Sequence, residues 1–421
     1  MGEAEPLCIS ERDAEALLQL NAIRAGFCQR VPDGIKLAQH CGIVRLPDCM
    51  LEILPKVGFH SEDDVDAKER MRARAALLTM LHHAPSIKLD TPGPASQKAV
   101  TSPLLDVFVE HFLQLALAQA RQGLLCRYVP HADDLTTLRG RFDVPMHWKR
   151  NVARPHLLHC QYDEFTPDNP YNQAVRAALE ACYSWIRSGS TQRLWSETYF
   201  RYAGISSQPM TAKAVALLPR ERTVRRYESL LTWCEWLLAL SSPSLITGQA
   251  PAPGLLFDMN KLFEAHVGFL LEKQCGNEKV VRRQGPEKYL AYQDQENVFL
   301  LKPDFTIGRA AGAEERGRGR VECIVDAKWK RLNPAAEDWG VDGGDIYQML
   351  AYAIRYECEE LELAYPDVTA GLFPLPVPPQ FYIPLQGDGA GRNIRIKVTL
   401  IPVAEPASVT PAEEWKADVF E

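Results

Sequence analysis

The chain is short of the features that define several protein classes. No apolar run approaches the roughly 18–20 residues a helix needs to cross a bilayer, so a membrane-spanning protein is not expected. The first residues, MGEAEPLCIS, lack a basic stretch followed by an apolar one, the pattern of a secretory leader. They begin like a myristoylation signal, but Pro6 stands where that signal needs a small hydroxyl residue. Eleven cysteines are present without one CxxC pair, which removes zinc-ribbon and thioredoxin-type spacings. Several, such as Cys323 and Cys358, lie in apolar segments, as buried reduced thiols of a cytoplasmic protein do. Positive charge is not in excess: the net charge is −7. A protein that grips DNA by bulk electrostatics is normally basic, so any DNA contact here is local or shared with a partner. There is no GxxxxGK[ST] loop, hence no visible nucleotide motor. HExxH, internal repeats and low-complexity tracts are also missing.

What is there is a globular chain of 421 residues, enough for two or three cores. Helical spacing of apolar residues predicts helices over 11–25, 67–83, 104–121, 222–240 and 257–274. "GIVRLPDCMLEILPKVGF" (42–59) reads as short strands around Pro47-Asp48, and 88–103 as a loop. "LRGRFDV" and "LLHCQYDEFT" are strand-like. Between them "WKRNVARP" is a basic loop or helix, and Asp168 or Asn169 caps a helix through Trp185, with Pro170 at its first position. The last third alternates strands ("VVRRQG", "YLAYQ", "NVFLLKPDFTIG", "VECIVDAKWKRL") with a helix over 345–357. The expected class is α/β (α+β), with a boundary near 215: residues 1–215 form a mixed N-terminal domain and 216–421 a domain with a central mixed sheet flanked by helices.

One strand ends oddly. In "VECIVDAKWK" an apolar run finishes on Asp326 and Lys328, which alternation puts on one face. Asp304, in "LLKPDFTIG", ends a second apolar strand, and the polar loop 309–320 folds the two into an antiparallel hairpin. Two carboxylates and an ammonium then meet at one point, which is costly unless something binds between them. A divalent cation with oxygen ligands supplies the missing charge. Mg²⁺ fits, because it takes one or two carboxylates and keeps waters and phosphate oxygens; Mn²⁺ is its natural substitute. A lysine beside such an ion orients the attacking water, which is the chemistry of phosphodiester hydrolysis.

Pro303-Asp304 followed by Asp326-Ala327-Lys328 resembles the PD-(D/E)XK nuclease signature. The resemblance implies a restriction-endonuclease-like C-terminal domain with Asp304, Asp326, Glu264 and Ala327 at the metal. Glu264, in "LFEAHV", is the glutamate of the preceding helix, and Gln348 and Tyr352, in "QMLAY", match the Gln-x-x-x-Tyr of RecB-type nucleases, one turn apart on one helix face. With "LLFDMNKLFEAHV", "DIYQMLAYA", "LEILPKVGF", "LRGRFDV" and "YDEFTPDNPYNQAVRAAL", the chain looks like the McrC subunits of McrBC-type, modification-dependent restriction systems, over roughly residues 40–360. That resemblance implies an N-terminal region docking onto a hexameric AAA+ GTPase of McrB type and stimulating it. It also implies a C-terminal domain that cuts double-stranded DNA carrying modified cytosine, and no membrane partner.

Other segments are weaker signals. His82-His83 lacks a third ligand at metal spacing and reads as a helix-end pair. "YDEF" (162–165) reads as structural or docking, and "RGRGR" (316–320) as a hairpin tip. The basic "WKRNVARPH" segment is a solvated face or a contact to the GTPase or to DNA phosphates, and "RERTVRR" reads as a helix start rather than a phosphate grip. Two competing functions fit the same residues: a non-catalytic activator of an AAA+ GTPase, and a stand-alone RecB-like repair nuclease.

Overall fold

The structure, a computed structural model, describes residues 8–22, 25–32, 34–57, 67–84, 102–241, 254–276, 279–309, 320–369, 376–384 and 393–403. The loops 88–103 and 309–320 lie outside these residues apart from their ends.

The C-terminal half is organised by a six-stranded sheet. Its order is Gln380–Pro384, Asn393–Pro402, Glu360–Asp367, Val321–Ala327, Phe305–Arg309 and Lys279–Arg283. The pairs Val321–Ala327 with Glu360–Asp367, and Glu360–Asp367 with Asn393–Pro402, are parallel, and the remaining pairs antiparallel. The central strand Glu360–Asp367 is buried over nearly its whole length, as a strand covered on both faces must be. Alternation then sorts the side chains. Phe305, Ile307 and Val325 join the core under the helix Met259–Cys275. Ile324, Leu361 and Leu363 join the opposite core, under Met349, Tyr352 and Tyr356 of the helix Gly343–Tyr356. Each large apolar group so buried stabilises the layer by about 1.5–3 kcal/mol. Gly268 lets the first helix lie close to the sheet: a Cβ there would meet the Phe305 ring at 2.7 Å and the Arg283 guanidinium at 2.9 Å.

A second hairpin, Lys288–Gln293 with Glu296–Leu301, carries the chain toward Pro303 and Asp304 and leans on the helix Gly343–Tyr356. Lys288 Nζ donates to the Arg355 carbonyl at 2.7 Å, and Arg355 Nε donates to the Tyr289 carbonyl at 2.7 Å.

The N-terminal half is built on the apolar helix Leu104–Arg121, buried on most sides. Around it stand the helices Pro170–Cys182, Gly189–Arg201 and Glu228–Ser241. Trp233, 1% exposed, packs on Phe108 with ring centroids 5.5 Å apart. The packing runs across residue 215: the helix Glu228–Ser241 belongs to this bundle, and Gly254–Asp258 pairs antiparallel with His40–Arg45. Gly42 permits that pairing, since a Cβ there would lie 1.9 Å from the Leu255 carbonyl oxygen and its φ is +131°.

Several details differ from the sequence expectation. The strand in "LRGRFDV" is only Arg141–Phe142, because Asp143 caps the helix Val144–Asn151 by accepting from the Met146 amide at 3.1 Å. The helix capped by Asn169 ends at Cys182, with Tyr183–Trp185 as a 3₁₀ turn. A long strand, Arg127–Leu135, pairs with Leu158–Thr166 where no strand was expected. The "DNPYNQ" segment is structural. Asn172, fully buried, donates to the Leu125 carbonyl at 2.8 Å and accepts from Tyr227 Oη at 2.9 Å. Asp168 accepts from the Ser206 amide at 3.1 Å and from Gln173 Nε2 at 2.9 Å. In "YDEF", Glu164 pairs with Arg139 at 3.5 Å. Among the described residues, no helix is long and apolar enough to cross a membrane.

Candidate active site

The strand register brings Asp304, Asp326 and Lys328 together. Phe305 stands opposite Val325 and Thr306 opposite Ile324. One step further, Asp304, just before its strand, stands beside Asp326, which is still in the sheet opposite Leu363, and residues opposite one another in an antiparallel pair share a face. Asp304 Oδ2 accepts from the Ala327 amide at 2.8 Å, so the first carboxylate is fixed by the backbone that carries the second. Asp326 is 2% exposed. The Lys328 ammonium lies 2.6 Å from its Oδ2, a charge-assisted contact that opposes the burial of this carboxylate. The Lys328 backbone amide donates to the Ala364 carbonyl at 2.8 Å, which prolongs the parallel pairing and holds the strand end still.

The helix Gly343–Tyr356 supplies the other side. Lys328 Nζ donates to Gln348 Oε1 at 2.9 Å, and Gln348 Nε2 donates to Tyr352 Oη at 2.8 Å. Tyr352 Oη donates to the Lys302 carbonyl at 3.0 Å, two residues before Asp304. Glutamine and tyrosine thus form one chain of hydrogen bonds from the backbone beside the first carboxylate to the ammonium beside the second. Glu264 comes from the helix on the opposite face of the sheet, one whose start is capped by Asp258 accepting from the Asn260 amide at 2.9 Å. It is half-buried, and the charges of both Asp326 and Asp304 interact with its own. On the same helix, Phe263 packs on Trp329, just beyond Lys328, with ring centroids 5.4 Å apart.

The electrostatics follow from burial of like charges. Burial and then the Asp326 charge push the Asp304 carboxyl up to about 7, against the opposing Ala327 amide and Lys328 ammonium. Burial raises Asp326 despite Lys328. Burial also raises Glu264, opposed by Arg283. Carboxyls raised in this way hold their protons more tightly than free ones, and a cation between them would offset the burial of like charge. Among the described residues, no three His, Cys, Asp or Glu side chains already converge to hold a metal. The donor set still suits Mg²⁺, which needs only one or two carboxylates beside waters and phosphate oxygens.

Sequence reasoning missed Asp345, Lys330 and Tyr365. Lys330 Nζ donates to Asp345 Oδ2 at 2.9 Å, and Tyr365 Oη donates to the same oxygen at 3.2 Å. The signal was present: Asp345, Gln348 and Tyr352 are spaced i, i+3, i+7 on one helix face. His83 also has a role the sequence did not reveal. Its Nδ1 lies 2.7 Å from His266 Nδ1 and its ring stacks on Phe269, joining the helix Ala67–His83 to the helix that carries Glu264.

Fold and centre define a mixed α/β protein whose sheet ends in a carboxylate pair and a lysine. A sequence profile of the McrBC 5-methylcytosine restriction system component family matches residues 35–366, and the chain belongs to that family. Among solved structures it is similar to a chain of the refined half-complex from the tetradecameric assembly of Thermococcus gammatolerans McrB AAA+ hexamers with bound McrC. That likeness has 17% identity and a TM-score of 0.63, covering 96% of this chain and 87% of that one. It is also similar to a chain of the cryo-EM structure of the Thermococcus gammatolerans McrBC complex, with 17% identity and a TM-score of 0.45, covering 65% and 85%. None of the curated proteins compared by sequence matches. The first likeness shows a fold shared over nearly the whole chain.

Proposed function

We propose that the chain is the endonuclease subunit of a GTP-dependent restriction complex, hydrolysing phosphodiesters of double-stranded DNA that carries modified cytosine. The observation that carries this is the side-by-side placement of Asp304 and Asp326 with the Lys328 ammonium 2.6 Å from the latter. Asp304 and Asp326, with the Ala327 carbonyl and Glu264, would hold Mg²⁺ or Mn²⁺. When bound, such an ion polarises the scissile phosphate and stabilises the leaving oxygen. Lys328 orients the attacking water and steadies negative charge as it develops. Gln348 and Tyr352 keep that ammonium in place through the hydrogen bonds described above.

The partner in this reading is a hexameric AAA+ GTPase of McrB type, which this chain stimulates. McrC bound to McrB AAA+ hexamers in the similar structure supports it, as does the lack of a phosphate-binding loop in this chain. We take the N-terminal half, residues 1–215, as the docking side. On its ribbon Tyr128 and Phe165 are exposed with ring centroids 5.1 Å apart, while the exposed Trp148 belongs to the basic helix Val144–Asn151 at the other end of that ribbon. Apolar groups left to solvent in a cluster mark an interaction surface. A family match reaching from 35 to 366 favours this over a stand-alone repair nuclease, and the intact centre disfavours a purely activating subunit.

The test is cleavage of methylated duplex DNA by the full chain with its GTPase partner, GTP and Mg²⁺. Asp304→Ala and Asp326→Ala should each lower cutting by about 10²-fold or more while leaving stimulation of GTP hydrolysis intact. Lys328→Ala should lose cutting but keep Mg²⁺ binding by calorimetry. Full cleavage by either aspartate variant would remove this centre from consideration.

A further inference from the structure

Lys328 and Lys330 lie just past the strand end, two residues apart, and both ammonium groups face the Asp345 carboxylate. Two ammonium groups near one carboxylate pair compete for it. Asp345 separates them. Its Oδ2 takes Lys330 at 2.9 Å and the Tyr365 hydroxyl at 3.2 Å, while its Oδ1 faces Lys328 at 3.9 Å. The carboxylate is only 7% exposed. It sits in the first turn of the helix Gly343–Tyr356, where the backbone dipoles favour negative charge. Its own amide donates to the Asp342 carbonyl at 2.9 Å, and Asp342 caps the helix by accepting from the Gly344 amide at 2.8 Å. Tyr365 is fully buried on the central strand, so the carboxylate is fixed from the sheet as well as from the helix. Lys330 also reaches Asp342, at 3.4 Å, which draws it to the helix end and away from Asp326.

We infer that Asp345 is a positioning residue of this centre: its carboxylate engages Lys330 and leaves the Lys328 ammonium, among the described residues, as the cation between Asp326 and Gln348. The inference rests on the nuclease reading above. It assigns Asp345 no contact with substrate. Its effect passes through Lys328, as does that of Gln348 from the other side.

The experiment measures initial rates of cutting by the full chain with its GTPase partner, GTP and Mg²⁺, over a range of methylated duplex concentrations. Asp345→Asn should lower kcat about tenfold while KM for DNA stays within about twofold, the pattern of a group that acts on the reacting centre and not on binding. Asp345→Glu, which keeps the charge, should recover most of the loss. It also separates the role from simple misfolding, which melting curves of both variants check. The double variant Asp345→Asn/Gln348→Ala should be scarcely slower than the slower single variant, because both changes act through one ammonium. A raised KM at unchanged kcat, equal losses in the Asn and Glu variants, multiplicative losses in the double variant, or full reproduction of the loss by Lys330→Met would each overturn the inference. Cutting that survives Asp326→Ala sinks the nuclease reading itself. Cutting lost in Asp326→Ala but unchanged in Asp345→Asn sinks only the role given to Asp345.

Discussion

Gln348 accepts from Lys328 with its carbonyl oxygen at 2.9 Å, while its amide nitrogen, donating to Tyr352 at 2.8 Å, fixes which way the side chain faces. An amide turned end for end would present a donor to an ammonium that can only donate. Tyr352 thus sets the orientation of Gln348, and Gln348 that of Lys328.

The hydroxyl of Tyr352 is therefore expected to matter beyond its packing. Tyr352→Phe keeps the buried ring but leaves the Gln348 amide and the Lys302 carbonyl short of a partner, at about 1–3 kcal/mol each. We expect a fall in kcat with little change in KM, and a larger fall for Gln348→Ala. Steady-state cleavage kinetics check this. Wild-type kcat in Tyr352→Phe would show that the orientation of Gln348 is irrelevant.

Stability should depend on pH with a definite sign. Asp304 is held near 7 in the fold against an ordinary value of 3.8. A carboxyl raised on folding binds its proton more tightly in the native state. Its contribution to stability is complete below 3.8 and is lost as pH rises through about 7. Asp304→Asn imitates the protonated form, so without metal its advantage in Tm over the wild type should grow between pH 4 and pH 8. Adding Mg²⁺ at pH 8 should lift the wild type and leave Asp304→Asn nearly unmoved. A Tm difference flat across this range would refute the assignment.

A fragment ending at residue 215 should fold poorly. It lacks the helix Glu228–Ser241, whose Leu230, Leu231, Trp233, Leu237 and Leu238 are buried in the N-terminal bundle. At about 1.5–3 kcal/mol for each side chain, that loss rivals the ~5–15 kcal/mol that hold a typical protein together. It also leaves His40–Arg45 without the strand Gly254–Asp258. A fragment ending at Asp258 should melt cooperatively and is the one to use for measuring stimulation of the GTPase. Equal thermal stability of the two fragments would contradict this reading of the packing.

The centre was legible because its residues break a local rule: Asp326 and Lys328 end an apolar strand in charge. Glu264, Gln348 and Tyr352 became legible only through a resemblance, because a single glutamate or glutamine on a helix face carries no distinctive pattern. Asp345 shares a helix face with Gln348 and Tyr352, but that spacing does not reveal its partners: Lys330 follows the end of one strand and Tyr365 lies within another. The strand Glu360–Asp367, "ELELAYPD", begins with the alternation of a half-exposed strand, yet Glu362 is 6% exposed in the middle of the sheet. Arg127–Leu135 carries Pro130 and the pair Asp133-Asp134, residues that argue against a strand, and only pairing with Leu158–Thr166 overrides them.

The pairing of His40–Arg45 with Gly254–Asp258 also has a consequence in time. Roughly 200 residues separate the two strands, and at ~5–20 residues per second a ribosome needs about 10–40 s to make them. Through that interval the strand His40–Arg45 has its neighbour Met50–Ile53 on one edge and nothing native on the other. An unpaired edge recruits foreign strands. Newly made chains are thus most vulnerable to aggregation before residue 258 has emerged, and slowing translation of the intervening segment should lower the yield of soluble protein.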